Sequence, residues 1–326
     1  MIEPRPKASL ARPKSAETAR KTMTAGTMTS DSDIAALLPK PGSILRRRVS
    51  DPRALAGAAG YALTLQVAHP TIAAGVRDHS TYAIDPWGRA FRTADYVFLL
   101  SYGDAATVGN VARNLRAMHR SITGTDHHGR RYSALEPSAY AWVHATIGES
   151  IVRGHALMGT PLRADERDEL WAGWLDLGDV LGVRRSELPD TWGGFTAYFD
   201  TMVRDVLEDN AAVHELKAAS RWAVGGSPFR WLPSPVFGAV GVPVGRVLRF
   251  LGMGMLPSEL RERFGFTWTA AHAAAFAAHC RASRASTPLL PRAVTEMGPL
   301  HLRLRRHEMG PFGQINATAQ GLAIPR

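Results

Sequence analysis

The run Asp104-Ala-Ala-Thr-Val-Gly-Asn-Val-Ala-Arg-Asn-Leu-Arg-Ala-Met-His119 repeats its apolar side chains at Val108, Val111, Leu115 and Met118, and Ile122 extends the series. Steps of three and four place all five on one face of a helix. Asp104 follows Tyr102-Gly103 and predicts an N-cap, because its carboxylate can accept from amides that the first turn leaves open. His119 falls at the edge of the apolar stripe. An imidazole there has to hydrogen-bond, titrate or bind a metal, since a buried polar ring without a partner costs about 1–3 kcal/mol.

The same period continues on both sides. Upstream, Ala54 to Ala68 is helical in character and stops at His69-Pro70, and Pro86-Trp87-Gly88 precedes a helix carrying Phe91, Tyr96, Val97, Leu99 and Leu100. Downstream, Glu136-Pro137 opens a helix with Tyr140, His144, Ile147 and Ile151 on one face, so His144 is a second histidine on an apolar stripe. Asp165 to Leu181 turns Leu170, Trp174, Leu177 and Leu181 inward before Gly182, and Leu188-Pro189-Asp190-Thr191-Trp192 starts a helix with Phe195, Tyr198, Phe199 and Met202. No period-two strand stands out. The expected fold is all-α: a single large helical bundle-like domain over 43–285, a disordered basic tail over 1–42, and a C-terminal extension over 286–326 with no catalytic role. Residues 225–257, rich in Gly, Pro and large apolar side chains, predict a packed loop and a short helix. A greasy lid or a transient membrane-surface contact is the sharper alternative.

Of the formal net charge of +10, the stretch Met1 to Ser50 supplies +6, from ten Lys or Arg against four Asp or Glu. The remainder has no basic helix interleaved with exposed aromatics, so a nucleic-acid partner is not expected and a small anionic ligand suits the chain better. Cys280 is the one cysteine, which excludes a disulfide framework and any multi-cysteine zinc or iron–sulfur site. A reducing, cytoplasmic setting is expected, and no stretch reads as long and charge-free enough to span a bilayer. The phosphate-binding Gly-Lys loop, the Gly-x-Ser-x-Gly elbow and the His-Glu-x-x-His helix are absent from the sequence.

His119 therefore has two readings: a core histidine donating to a backbone carbonyl one turn away, or an axial ligand. Arg89 and Thr93 are four apart on a helix face, and Arg116 lies one turn before His119. A porphyrin needs an axial nitrogen together with cationic or hydroxyl partners for its propionates. The adjacent His127 and His128, in a Gly- and Asp-rich loop, read as solvated.

Several ordered blocks resemble one family. They are Leu65-Gln66-Val67-Ala68-His69-Pro70, Gly75-Val76-x-Asp78-His79-Ser80, Asp85-Pro86-x-Gly88-Arg89-x-x-Arg92-Thr93, Arg116-x-x-His119, Tyr132-Ser133-Ala134-Leu135 and Trp142-Val143-His144-Ala145-Thr146. The likeness continues through Leu188-Pro189-x-Thr191-Trp192 to Leu256-Pro257-x-x-Leu260-Arg261-x-x-Phe264-Gly265. Together these blocks resemble the MpaB-like oxygenases, which include the rubber oxygenases (latex-clearing proteins).

The resemblance implies an all-α fold around one haem b whose iron activates dioxygen, in a family whose best-understood members cleave carbon–carbon double bonds of isoprenoid chains. It implies His119 as the proximal iron ligand, with Arg89 and Thr93 at the pocket edge; Arg116 and His69 are the further cofactor-binding candidates. Arg92 stands where the rubber enzymes carry a distal lysine, and a guanidinium is a poor metal ligand. Arg92 and His144 are the catalytic candidates, and Ala73 and Ala74 lie where the family's glutamate would be sought. Gln66 and Asp78 are expected to fix a histidine tautomer by hydrogen bonding. The expected partners are dioxygen and a small apolar substrate. The alternative is a haem carrier or sensor without turnover.

Overall fold

The structure, a computed structural model, describes residues 30–79, 86–126, 129–218 and 233–305. Residues 1–29, 80–85, 127–128, 219–232 and 306–326, among them His127 and His128, lie outside the described residues. The chain folds as α1 Asp31–Leu37, α2 Ile44–Arg48, α3 Pro52–Leu55, α4 Ala58–Val67, α5 Pro70–His79, α6 Pro86–Tyr102 and α7 Ala105–Arg120. A two-stranded antiparallel hairpin follows, β1 Thr123–Thr125 and β2 Arg131–Ser133, with Gly124 opposite Tyr132. Then come α8 Pro137–Leu157, α9 Ala164–Leu181, α10 Trp192–Thr201 with a π-helical continuation Met202–Val206, α11 Ala211–Ala218, α12 Ser234–Met255, α13 Ser258–Arg263, α14 Ala270–Ala285, α15 Arg292–Thr295 and α16 Gly298–Arg305. The all-α expectation holds; the hairpin is an addition, its strands too short to display a period of two.

The helix starts are chemical. Asp104 Oδ1 accepts from the Thr107 amide at 2.8 Å, as the N-cap reading requires, and Glu136 Oε2 accepts from Ala139 N at 2.8 Å to open α8. Gly182, at φ 78°, ends α9 in the left-handed conformation that a residue with a Cβ adopts only at a cost.

Helix α8 is the axle of the core, buried along most of its length and packed on α3, α4, α9 and α12. Trp142 Nε1 donates to Leu65 O of α4 at 3.1 Å. On the other side His144 and Trp174 exchange bonds: Trp174 Nε1 donates to His144 O at 2.9 Å, and His144 Nε2 to Trp174 O at 2.8 Å. Trp142, Trp171 and Trp174 are the largest fully buried side chains, and each contributes about 4–6 kcal/mol at ~25 cal/mol per Å².

Two sequence expectations are corrected. Order begins before Ser43: Ser30 caps α1 through the Asp33 amide at 3.2 Å, and Ile34 and Leu37 enter the core, where α1 packs on α7 and α9. The segment read as a loop and a short helix is, from Ser234, the 22-residue α12, with Pro243 inside it. By length and composition α12 would be long enough to cross a membrane, at a mean hydropathy of 1.4. Its C-terminal half is core, with Leu251, Gly252 and Met255 buried against α4. From its N-terminus to its middle the helix shows an outward stripe, with Val236 53%, Val240 61%, Val244 42% and Val247 52% exposed.

Candidate functional site

A tight turn at Gly103 and Asp104 joins α6 to α7, and the two helices pack on each other. Arg89, Arg92 and Thr93 lie on early α6, and Arg116 and His119 on late α7.

His119 is half-buried, and its Nδ1 lies 2.7 Å from the carbonyl oxygen of Leu115, one turn back. A carbonyl only accepts, so Nδ1 carries the proton and Nε2 keeps its lone pair. Burial pushes the imidazole below its ordinary pKa, with the Leu115 bond pulling the other way, so the ring is neutral at pH 7. The Tyr140 ring meets it edge-on at 5.6 Å. A core histidine and a ligating histidine would both make the Leu115 bond; they differ at Nε2, which makes no hydrogen bond within the described residues. That is the nitrogen a metal takes when the other is oriented by a backbone acceptor.

Arg116, one turn earlier, has its Nε buried without a hydrogen-bond partner. Its Nη1 lies against Gly182, where an added Cβ would collide with it. A guanidinium N–H closed off from water with no acceptor is costly, and an anionic group would satisfy it. Arg116 also acts on Tyr140, whose phenol burial raises to about 12 while the guanidinium opposes. On α6, Thr93 is exposed and its Oγ1 donates to Arg89 O at 3.0 Å, leaving the hydroxyl lone pairs outward.

The other histidines are placed differently. His144 is buried and stacked on Trp174 at 4.8 Å and 11°, and burial lowers its pKa to about 4. With Nε2 donating to Trp174 O, that nitrogen has no lone pair for a metal. His69 sits at the junction of α4 and α5, buried with Nδ1 unpartnered; burial lowers its pKa, against the influence of Glu136. Gln66 Nε2 donates to Thr146 Oγ1 at 3.0 Å, and Asp78 Oδ2 accepts from the Tyr132 hydroxyl, so each serves another partner than the histidine expected for it.

Among the described residues no group of three or more His, Cys, Asp or Glu comes together to hold a bare ion. The donor chemistry at His119 fits instead a metal that arrives with its own equatorial nitrogens and needs one axial imidazole, with Arg116 as partner for an acid side group. Two cavities lie elsewhere. One is a polar cleft of about 290 Å³ lined by Ala74, Arg77, Asp78, Thr125, Asp126 and Glu215; the other is a void under α12 bordered by Gly60, Leu63, Arg249, Met253 and Phe266.

Two buried acids escaped the sequence reading. Glu149 of α8 is raised to about 7 by burial, against the Arg153 guanidinium 3.9 Å away and the neighbouring Tyr61 hydroxyl; neither Glu149 Oε2 nor Tyr61 Oη reaches a partner at hydrogen-bonding geometry. Asp95 of α6 is wholly buried against His301 and Arg305. The available signal was an acid flanked at a spacing of four by apolar residues, Phe91 and Leu99.

Residues 46–285 match the family described as ER-bound oxygenase mpaB/B'/Rubber oxygenase, catalytic domain. No curated protein and no solved structure matches the chain.

Proposed function

The chain belongs to the mpaB/rubber oxygenase catalytic-domain family, and from that premise we propose that it is a haem b-dependent oxygenase acting with dioxygen on a small apolar substrate bearing an alkene or isoprenoid chain. Haem b would supply the oxygen-activating iron. His119 would hold it through Nε2, Arg116 Nε would donate to a propionate, and Arg89 and Thr93 would border the pocket from α6. The Arg92 guanidinium offers hydrogen-bond donors and no lone pair where a lysine could ligate. His69 is a buried imidazole with an unpaired Nδ1, a property it shares with His155. For His144 the reading is positional: it locks α8 to α9 and so fixes Tyr140 beside His119.

One observation carries the reading: a buried, unpartnered guanidinium N–H one turn from a neutral imidazole whose Nε2 is unpaired. Protein purified from haem-supplemented cells should show a Soret band, and the dithionite-reduced sample should bind carbon monoxide. Incubation with an isoprenoid alkene under oxygen should then yield oxygenated products. Colourless protein that takes up no haemin would refute the assignment. The rival, a haem carrier or sensor in the cytoplasm, draws on His69; a stable six-coordinate bis-histidine spectrum without carbon monoxide binding would favour it.

An apolar substrate dissolved in lipid also gives the α12 stripe a use, as a transient contact with a membrane surface. The helix cannot cross while Leu251 and Met255 remain in the core, so the contact would lie in the membrane plane. Cosedimentation with anionic vesicles, lost in Val240→Asp, tests this part separately.

A further inference from the structure

Helix α16 lies beyond the family match, which ends at residue 285, and it covers the back of α6 along much of its length. At one end Gly298 packs so closely on the Tyr102 ring that an added Cβ would overlap it. In the middle His301 sits edge-on to Phe98 at 5.0 Å and stacks on Phe91 at 6.0 Å and 9°. At the other end the Arg305 guanidinium lies over Phe91 at 5.7 Å. Both side chains converge on Asp95, which is 0% exposed: His301 Nε2 donates to Oδ1 at 2.6 Å and Arg305 Nη2 to Oδ2 at 2.8 Å, with Arg305 Nε 3.2 Å from Oδ1. The Met297 amide ties the start of the helix to Ser50 O at 3.3 Å.

The direction of this clamp matters because of what α6 presents elsewhere. Phe91, Asp95, Phe98 and Tyr102 form one stripe of α6. Arg89 and Thr93 each precede a member of that stripe by two residues, which at 3.6 residues per turn places them about 200° round the helix. The exposure of Thr93 agrees with that placement. A buried carboxylate held from two sides resists rotation of its helix, since turning it would strip the charge of partners inside the core.

We propose that Asp95, His301 and Arg305 are positioning residues: α16 fixes the rotation of α6 and thereby aims Arg89 and Thr93 at the bound cofactor. The inference rests on the reading of early α6 as a wall of the haem pocket. It makes the C-terminal helix a working part of the site although it lies outside the matched domain.

The test uses full-length protein carrying Asp95→Asn, Arg305→Leu or Gly298→Ala, the last undocking α16 without altering charge. Amide hydrogen exchange over residues 88–95 should accelerate about tenfold or more while α8 and α9 keep parental protection, and haem should leave each variant about two- to threefold faster. The carbon monoxide stretching frequency of the reduced complex should shift as well, and Arg305→Lys should recover part of both effects. Parental exchange and parental haem release in the Asp95 and Gly298 variants would overturn the proposal. If parent protein takes up no haemin, the functional reading fails on that result alone. Hydrogen exchange then still decides the brace: faster exchange over 88–95 sustains it without its link to haem, and unchanged exchange removes it.

Discussion

The end of α7 and the centre of the α8–α9 contact each hold a histidine on an apolar helical stripe, and both rings bond to a backbone carbonyl. At the end of α7 His119 spends Nδ1 on Leu115 O, inside its own helix. At the centre His144 spends Nε2 on Trp174 O, in the neighbouring helix, and Trp174 returns the bond. One bond serves the helix it belongs to and leaves the outer nitrogen open; the other joins two helices and closes the ring in. The two histidines thus differ in which nitrogen the backbone claims, and in exposure, His119 being half-buried and His144 buried.

That contrast can be broken most sharply at His119. His119→Ala should abolish haem retention, read as loss of the Soret band, while the chain keeps its helical circular dichroism and loses less than about 1 kcal/mol of stability in the haem-free state. His144→Ala should do the reverse. Removing the ring orphans the Trp174 carbonyl and opens a cavity, costing about 3 kcal/mol in denaturant unfolding while the remaining folded protein still binds haem.

Acidity sharpens the contrast further. Folding depresses the His144 pKa from 6.5 to about 4, so the unfolded chain takes up the proton first. The stability from the neutral buried ring is present above 6.5 and lost as pH falls towards 4, about 3 kcal/mol in all. Glu149 runs the other way: its folded pKa of about 7 exceeds the ordinary 4.5, so its contribution is present below 4.5 and lost as pH rises through 7. Urea titrations across pH should show Glu149→Gln gaining stability at pH 8 relative to pH 5, and His144→Gln losing the acid limb. The smallest effect belongs to Arg89→Ala, which should speed haem release only a few-fold, because Arg116 remains; stopped-flow transfer to apomyoglobin measures it.

Much of this was legible in local sequence. Three- and four-residue spacing exposed α7, α8 and α9, and Asp104 and Gly182 marked a start and a stop because capping is a short-range interaction. Arg89, Thr93, Arg116 and His119 stand out as residues, but their relative placement depends on how α6 and α7 pack. α12 was hidden by Pro243 and its glycines, which read as loop although packing on α4 holds the C-terminal half in a helix. α1 has too few apolar positions to declare a face alone. The Asp95 cluster joins groups 206 and 210 residues apart, a separation over which no periodicity operates. The packing of α16 on α6 is therefore legible only in the fold.

The bond from His119 to Leu115 has a consequence for how this chain can drift. Its acceptor belongs to the main chain, so the bearing of the outer lone pair is inherited from helix pitch and survives any replacement of the leucine side chain that spares the turn. Mutational tolerance at position 115 and intolerance at 119 would then coexist four residues apart, the first reporting packing and the second reporting chemistry.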